Sequence, residues 1–262
     1  MALDIDRYAH VESSVQRWDP RFKIFSLGIL ILCISLLKTL PMAAAALAIA
    51  ALMLVVTGLP YHFISHGLNW VILFLLPFFL VMPFTYPGET SIHILGLGFA
   101  LEGLRLASLI FIKAVAIVMT SYAIFGSARF DVSMIALQRL KCPTALVQML
   151  LFTYRYIFVF MEEMKRMNTA MRVRGFVLRS NLYTLKVLGN FIGSLLVRSF
   201  ERTERVYKAM LSKGYNGQFH TLVTFSAGAK DLVKAVLVIA LAAGLVAGDL
   251  GGWFTQAAEG WY

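Results

Sequence analysis

The run MAAAALAIAALMLVVTGL, residues 42–59, holds no charged side chain. Its 18 residues approach the ~20 that an α-helix needs to cross a hydrocarbon core. Pro41 precedes it and Pro60 closes it, so its limits are sharp. The rest of the chain has the same character. Of 262 residues, 59% are hydrophobic and 15% charged, and the mean hydropathy is +0.75. Soluble domains carry about 45–50% apolar and roughly 25% charged residues, so a soluble domain and a disordered chain are both excluded. The 20 Phe and 12 Met also exclude collagen-like and low-complexity readings.

Outward from residues 42–59, four further apolar runs read as spans. Residues 24–37 lie upstream, separated by the break Lys38-Thr39-Leu40-Pro41. Downstream come residues 69–86, with Pro77 and Pro83 inside, then 104–125 and 232–247. Prolines inside a span free backbone carbonyls and kink the helix. Pro87-Gly88-Glu89-Thr90 reads as a turn. The first 20 residues are polar and show no cleavable signal, so the first apolar run is expected to remain as an anchor.

Charge is distributed unevenly. Residues 127–230 contain 16 Lys+Arg and 5 Asp+Glu, whereas the remainder contains 8 and 9. The positive-inside rule assigns such a block, and the basic N-terminus, to the cytoplasm. Nucleic-acid binding is the rival reading of a basic block, but the basic residues here are interleaved with apolar ones at helical spacing. The expected fold is an all-α membrane protein with about five transmembrane helices. Long amphipathic cytoplasmic helices lie between the fourth and the last. The expected regions are 1–126, 127–230 and 231–262. Residues 144–160 contain Arg155 and are followed by Glu162-Glu163, so they read as an amphipathic or half-buried helix. Pro143 suits a helix start, and Gly175, Gly189 and Gly214 suit helix ends.

The basic block contains one sequence twice. Residues 162–176 read EEMKRMNTAMRVRGF and residues 201–215 read ERTERVYKAMLSKGY. Both reduce to Ala-Met-x-x-(Arg/Lys)-Gly-(Phe/Tyr), with Ala170, Arg174 and Gly175 matched by Ala209, Lys213 and Gly214. A basic residue in a last helical turn and a glycine after it make an ordinary helix stop. Two copies suggest more: two like cations on two like helix ends suit two like pockets on a two-fold partner.

The block resembles the transmembrane coupling subunit of energy-coupling factor (ECF) transporters, whose signature is a pair of Ala-Arg-Gly motifs at the ends of cytoplasmic helices. Here the pair is Val173-Arg174-Gly175 and Ser212-Lys213-Gly214, without the alanine and with Lys for Arg in the second copy. Asp6-Arg7-Tyr8, Trp18-Asp19-Pro20-Arg21, Pro143 and Thr153-Tyr154-Arg155-Tyr156 look like the cobalt/nickel, CbiQ-like branch. The resemblance implies a non-catalytic subunit of the bacterial or archaeal cell membrane, without a cofactor of its own. Its implied partners are a cytoplasmic ATPase dimer, a substrate-capture membrane component, a small accessory membrane subunit and the lipid bilayer, and no nucleic acid. The favoured cargo is cobalt ion, as used in cobalamin biosynthesis, with nickel or a vitamin as alternatives. Arg174 and Lys213 would sit in grooves of the ATPases, and Gly175 and Gly214 would allow close backbone approach.

Other candidates are weaker. His62 and His66 share a helical face but lack a third ligand nearby, so they read as an interfacial helix start. His10, His93 and His220 are isolated, and Cys33 and Cys142 form no metal spacing. Lys113, two turns beyond Arg105, is an intramembrane charge and so a functional candidate; pairing with Glu102 or snorkelling is the plainer account. Phe74, Phe78, Phe79 and Phe84 read as packing surface. No phosphate loop or zinc-protease motif is present. A self-contained secondary transporter and a membrane enzyme using Glu162, Glu163, Glu201 or Glu204 are the competing functions. Those acids read better as i, i+4 partners of Arg166, Arg205 and Lys208.

Overall fold

A computed structural model describes residues 15–16, 18–85, 90–94, 97–217, 225 and 228–259. The described residues form eight helices, in order α1 (Pro20–Leu36), α2 (Leu40–Thr57), α3 (Tyr61–Thr85), α4 (Leu101–Phe125), α5 (Phe130–Arg139), α6 (Thr144–Val173), α7 (Leu182–Ser212) and α8 (Ala229–Glu259). A small antiparallel hairpin, β1 (Thr90–Ile94) with β2 (Leu97–Ala100), joins α3 to α4 and pairs Ile92 with Phe99. Thr90 therefore opens a strand; Pro87 to Glu89 of the expected turn lie outside the described residues.

The chain divides into two compact units. The larger comprises residues 5–136 and 225–262 and the smaller 1–4 and 137–224. In the larger unit, α1 lies against α4 and α8, α2 against α4 and α8, and α3 against α4. Leu27, Leu30 and Ile34 of α1 are fully enclosed. The alanine-rich run is explained by packing: Ala43, Ala46, Ala50 and Leu54 form the buried stripe of α2, while Leu52 and Val55 point outward. Between helices in a membrane, small side chains permit the close approach on which van der Waals contact depends.

Among the described residues, five helices are long and apolar enough to cross a membrane: α2, α3, α4, α6 and residues 229–252 of α8. The number equals the expected one, but the membership differs. Helix α1 has 17 residues, at the lower limit of a span. Residues 144–160 are instead part of the continuous 30-residue α6. Arg155 and the glutamates do not end that helix, because their charges lie on exposed surface and the i, i+4 pair Arg166–Glu162 at 2.7 Å spans a turn. Helix α3 also begins earlier than its apolar run, taking in the exposed His62 and His66. Pro77 and Pro83 lie inside it. Phe79 packs edge-on against Phe111 at 5.4 Å, whereas Phe74 faces outward.

Gly189 is corrected by the structure. It lies inside α7, whose start is set by Asn181: the Asn181 side chain accepts from the Thr184 amide at 2.8 Å. One interior glycine costs only about 1 kcal/mol, too little to stop a 31-residue helix. Pro143 occupies the N-cap of α6, one position before the first helical turn.

The α3–α4 contact is tight at Gly103. A Cβ there would stand 2.6 Å from the Met82 carbonyl oxygen and 2.9 Å from Pro83 Cα, both rigid backbone. Gly103→Val is expected to cost about 3 kcal/mol, at the upper end for overpacking, read as a lower unfolding temperature in detergent. Equal melting of variant and parent would show that α3 and α4 do not approach so closely.

Candidate functional site: two matched helix ends

The two copies of the repeat fold identically. At the end of α6, the Gly175 amide donates to the Arg172 carbonyl at 3.0 Å and the Phe176 amide to the Met171 carbonyl at 3.1 Å. At the end of α7, the Gly214 amide donates to the Leu211 carbonyl and the Tyr215 amide to the Met210 carbonyl, both at 3.0 Å. This is the Schellman pattern, which requires a left-handed residue after the cap. Gly175 and Gly214 supply it, with φ of 80° and 82°.

The repeated sequence now has a physical reading. The methionine is the third residue from the cap, and the aromatic two places beyond the cap packs near it. Met171 and Phe176 line one groove with Leu188 and Phe191 of α7. Met210 and Tyr215 line another with Met149, Phe152 and Tyr156 of α6. The end of each helix thus lies beside the first half of the other, so α6 and α7 run antiparallel and cross. The crossing is marked by the ion pair of Arg198 with Glu163. Each motif stands roughly 15–25 Å along its helix from that pair, in opposite directions.

Arg174 and Lys213 occupy the C-caps themselves, and both are exposed. Ala170 and Ala209, one turn back, are exposed as well. No atom lies within 4 Å of a Cβ built on Gly175 or Gly214. The second end is also tied down: the Tyr215 hydroxyl donates to Gln148 Oε1 at 3.0 Å, and Gln148 Nε2 donates to the Gly217 carbonyl at 3.1 Å. Neither Gln148 nor Asn181 stood out in the sequence, because each acts at a distance or through local backbone. Of the expected intrahelical pairs, Glu162–Arg166 and Glu204–Lys208 form, at 2.7 and 2.8 Å. Glu163 instead crosses to α7, and Glu201–Arg205 is not an ion pair among the described residues.

The intramembrane charge packs inside the bundle, but not against the carboxylate named above. Lys113 does not reach Glu102. Its Nζ donates to the carbonyls of Ser35 and Leu37, at 2.6 and 2.8 Å, closing the end of α1. Across the same break, the Asp249 carboxylate of α8 accepts from the amides of Lys38 and Thr39, at 2.9 and 2.8 Å, and from the Thr39 hydroxyl. Thr39 is the N-cap of α2 by position but makes no capping bond itself; Asp249 serves the amides of the break that precedes the helix. Arg105 lies exposed two turns before Lys113 and takes no part. At the other end of α1, Lys23 is fully buried and donates to Ser127 Oγ at 3.0 Å. Asp19 caps the helix; burial works against its charge, but the Arg21 side chain and amide hold its carboxyl below the usual range. Among the described residues no three His, Cys, Asp or Glu gather as a metal site.

Membrane-length helices around a small-residue core define a multi-pass membrane protein, and the second unit adds a crossed helix pair with two equivalent basic ends. Comparison with known proteins gives the family. The chain matches the family described as cobalt transport protein, CbiQ, over residues 11–221, and it belongs to that family. It is 27% identical over 261 residues to the energy-coupling factor transporter transmembrane protein EcfT of Bacillus subtilis, covering 92% of this chain and 97% of that one. The EcfT of Heliobacterium modesticaldum is 26% identical, with 82% and 85% covered. The cobalt transport protein CbiQ of Rhodobacter capsulatus is 33% identical over a shorter stretch, 44% of this chain and 46% of that one. An uncharacterized Methanocaldococcus jannaschii protein, MJ1089, is 36% identical over 40% of this chain and 37% of its own length.

Proposed function

We propose that this chain is the coupling subunit of an ATP-driven ECF importer, docking a dimer of cytoplasmic ATPases through Arg174 and Lys213. The observation that carries this reading is the pair of equivalent helix ends on one antiparallel crossed pair. Two identical or similar ATPases offer two like grooves, and an antiparallel pair presents two like ends related by an approximate two-fold. The charge distribution supports a cytoplasmic location for residues 127–230 and for the N-terminus. The chain itself carries no nucleotide-binding loop, so hydrolysis belongs to the partner.

A substrate-capture membrane component and, in the cobalt branch, a small accessory subunit complete the assembly in this reading. Cobalt ion is the favoured cargo, supported by the family description and the Rhodobacter relative. The long alignments are with proteins named EcfT, which supports the coupling role more strongly than the identity of the cargo.

Gentle affinity purification from native membranes tests the assembly. An ATPase and a second small membrane protein are expected to accompany the chain; a lone, stable chain active in liposomes would return the secondary-transporter reading. Glycine variants separate capping from docking. Asparagine tolerates the left-handed conformation, and there is room for its side chain. Gly175→Asn with Gly214→Asn is therefore expected to leave melting within about 1 kcal/mol of the parent and to weaken ATPase recovery at least tenfold. Full recovery would mean that the glycines serve only the caps.

A further inference from the structure

Residues 164–200 contain seven cations, namely Lys165, Arg166, Arg172, Arg174, Arg179, Lys186 and Arg198, and no Asp or Glu. Arg166 and Arg198 are paired with Glu162 and Glu163. The other five have no carboxylate partner among the described residues. The same stretch turns apolar side chains outward: Leu178, Leu182 and Leu185 are 73%, 85% and 67% exposed, and Val177 and Leu196 are exposed beside them. Leu182, Leu185 and Leu196 lie on one stripe of α7, separate from Leu188 and Phe191, which face the groove against α6. The acids of residues 137–224, namely Glu162, Glu163, Glu201 and Glu204, lie outside the stretch.

We propose that Arg179 and the first half of α7, residues 179–196, form a binding surface for an anionic lipid leaflet. Arg179 and Lys186 hold phosphate headgroups, and Leu182, Leu185 and Leu196 enter the acyl boundary. An interfacial helix has this division, basic residues beside a leucine-rich stripe. The stems of Arg and Lys reach past the apolar rim to the headgroup level. An acidic protein surface would satisfy the cations but leave the leucines facing water; a leaflet of anionic lipid satisfies both. A membrane protein always has a bilayer beside it, so no further partner is required. The surface includes neither Arg174 nor Lys213 and does not depend on the ATPase reading.

The test uses the full chain in nanodiscs, with Cys33→Ser, Cys142→Ser and a spin label on Leu182→Cys. One set of discs is phosphatidylcholine alone, and the other carries phosphatidylglycerol as roughly a third of the lipid. In the anionic discs the label is expected to be reached by oxygen and shielded from a neutral, water-soluble nickel chelate. Arg179→Gln with Lys186→Gln should lower the phosphatidylglycerol enrichment of lipid retained in native mass spectra. About fivefold per cation is expected, the ratio equivalent to about 1 kcal/mol for a basic residue near an anionic leaflet. Access of the chelate in both discs, protection from both reagents (a protein or a second copy covering the stripe), or equal behaviour in the two lipids would each overturn the proposal. Arg174 and Lys213 are untouched, so a failure here leaves ATPase recovery as a separate result.

Discussion

Arg174→Glu combined with Lys213→Glu is expected to abolish recovery of the proposed ATPase partner with this chain. A charge buried against an acidic groove costs about 2–5 kcal/mol when its partner is lost, and reversal adds repulsion. At about 3 kcal/mol for each end, the two together lower affinity roughly 10⁴-fold. The single variants are unequal. Arginine presents a planar fork that binds a carboxylate twice, and lysine offers a point charge, so Arg174→Glu weakens binding more than Lys213→Glu. Both residues are exposed C-caps, and an acid there opposes the helix dipole by about 0.3–1 kcal/mol. The neutral pair Arg174→Gln and Lys213→Gln removes that objection, leaving the helices intact while still weakening the complex. Recovery of an intact complex from the double reversal would remove the docking model.

The second large effect is expected at the break between α1 and α2. Asp249→Ala removes the acceptor from two backbone amides and a hydroxyl. Leaving such donors unserved costs about 1–3 kcal/mol. Lys113→Met leaves two carbonyls of α1 unserved, at about 1–3 kcal/mol. Because both groups serve one break, Lys113→Met with Asp249→Ala should cost less than the sum of the single losses, by about 1 kcal/mol or more. Denaturant unfolding in detergent measures this. Strict additivity, or a loss under about 0.5 kcal/mol for Asp249→Ala, would show that the two charges act independently or not at all.

The apolar runs of α2, α3, α4 and α8 and the two helix ends at Gly175 and Gly214 are legible because each is written in contiguous residues. Residues 42–59 declare a helix by composition alone, and the repeat declares a cap through its glycine. What stayed hidden acts across sequence. Asp249 stands 210 residues from the Thr39 that it holds, and nothing near either residue announces the other. Lys113 looked like a charge in search of a carboxylate; its partners are carbonyls freed by a helix end on another segment. The extent of α6 was missed because a charged second half was taken to end an apolar helix, whereas exposed charges and an i, i+4 pair carry it on. The crossing of α6 and α7 rests on Glu163 choosing Arg198 over a neighbour on its own helix, a choice that spacing cannot express.

The clamp at the α1–α2 break also bears on how the protein is made. Ribosomes add roughly 5–20 residues per second, so the segment carrying Asp249 emerges roughly 10–40 s after Thr39. For that interval the amides of Lys38 and Thr39 wait at the break without their acceptor. A chain truncated before α8 leaves them unserved for good, and it is expected to accumulate less in the membrane than the full chain.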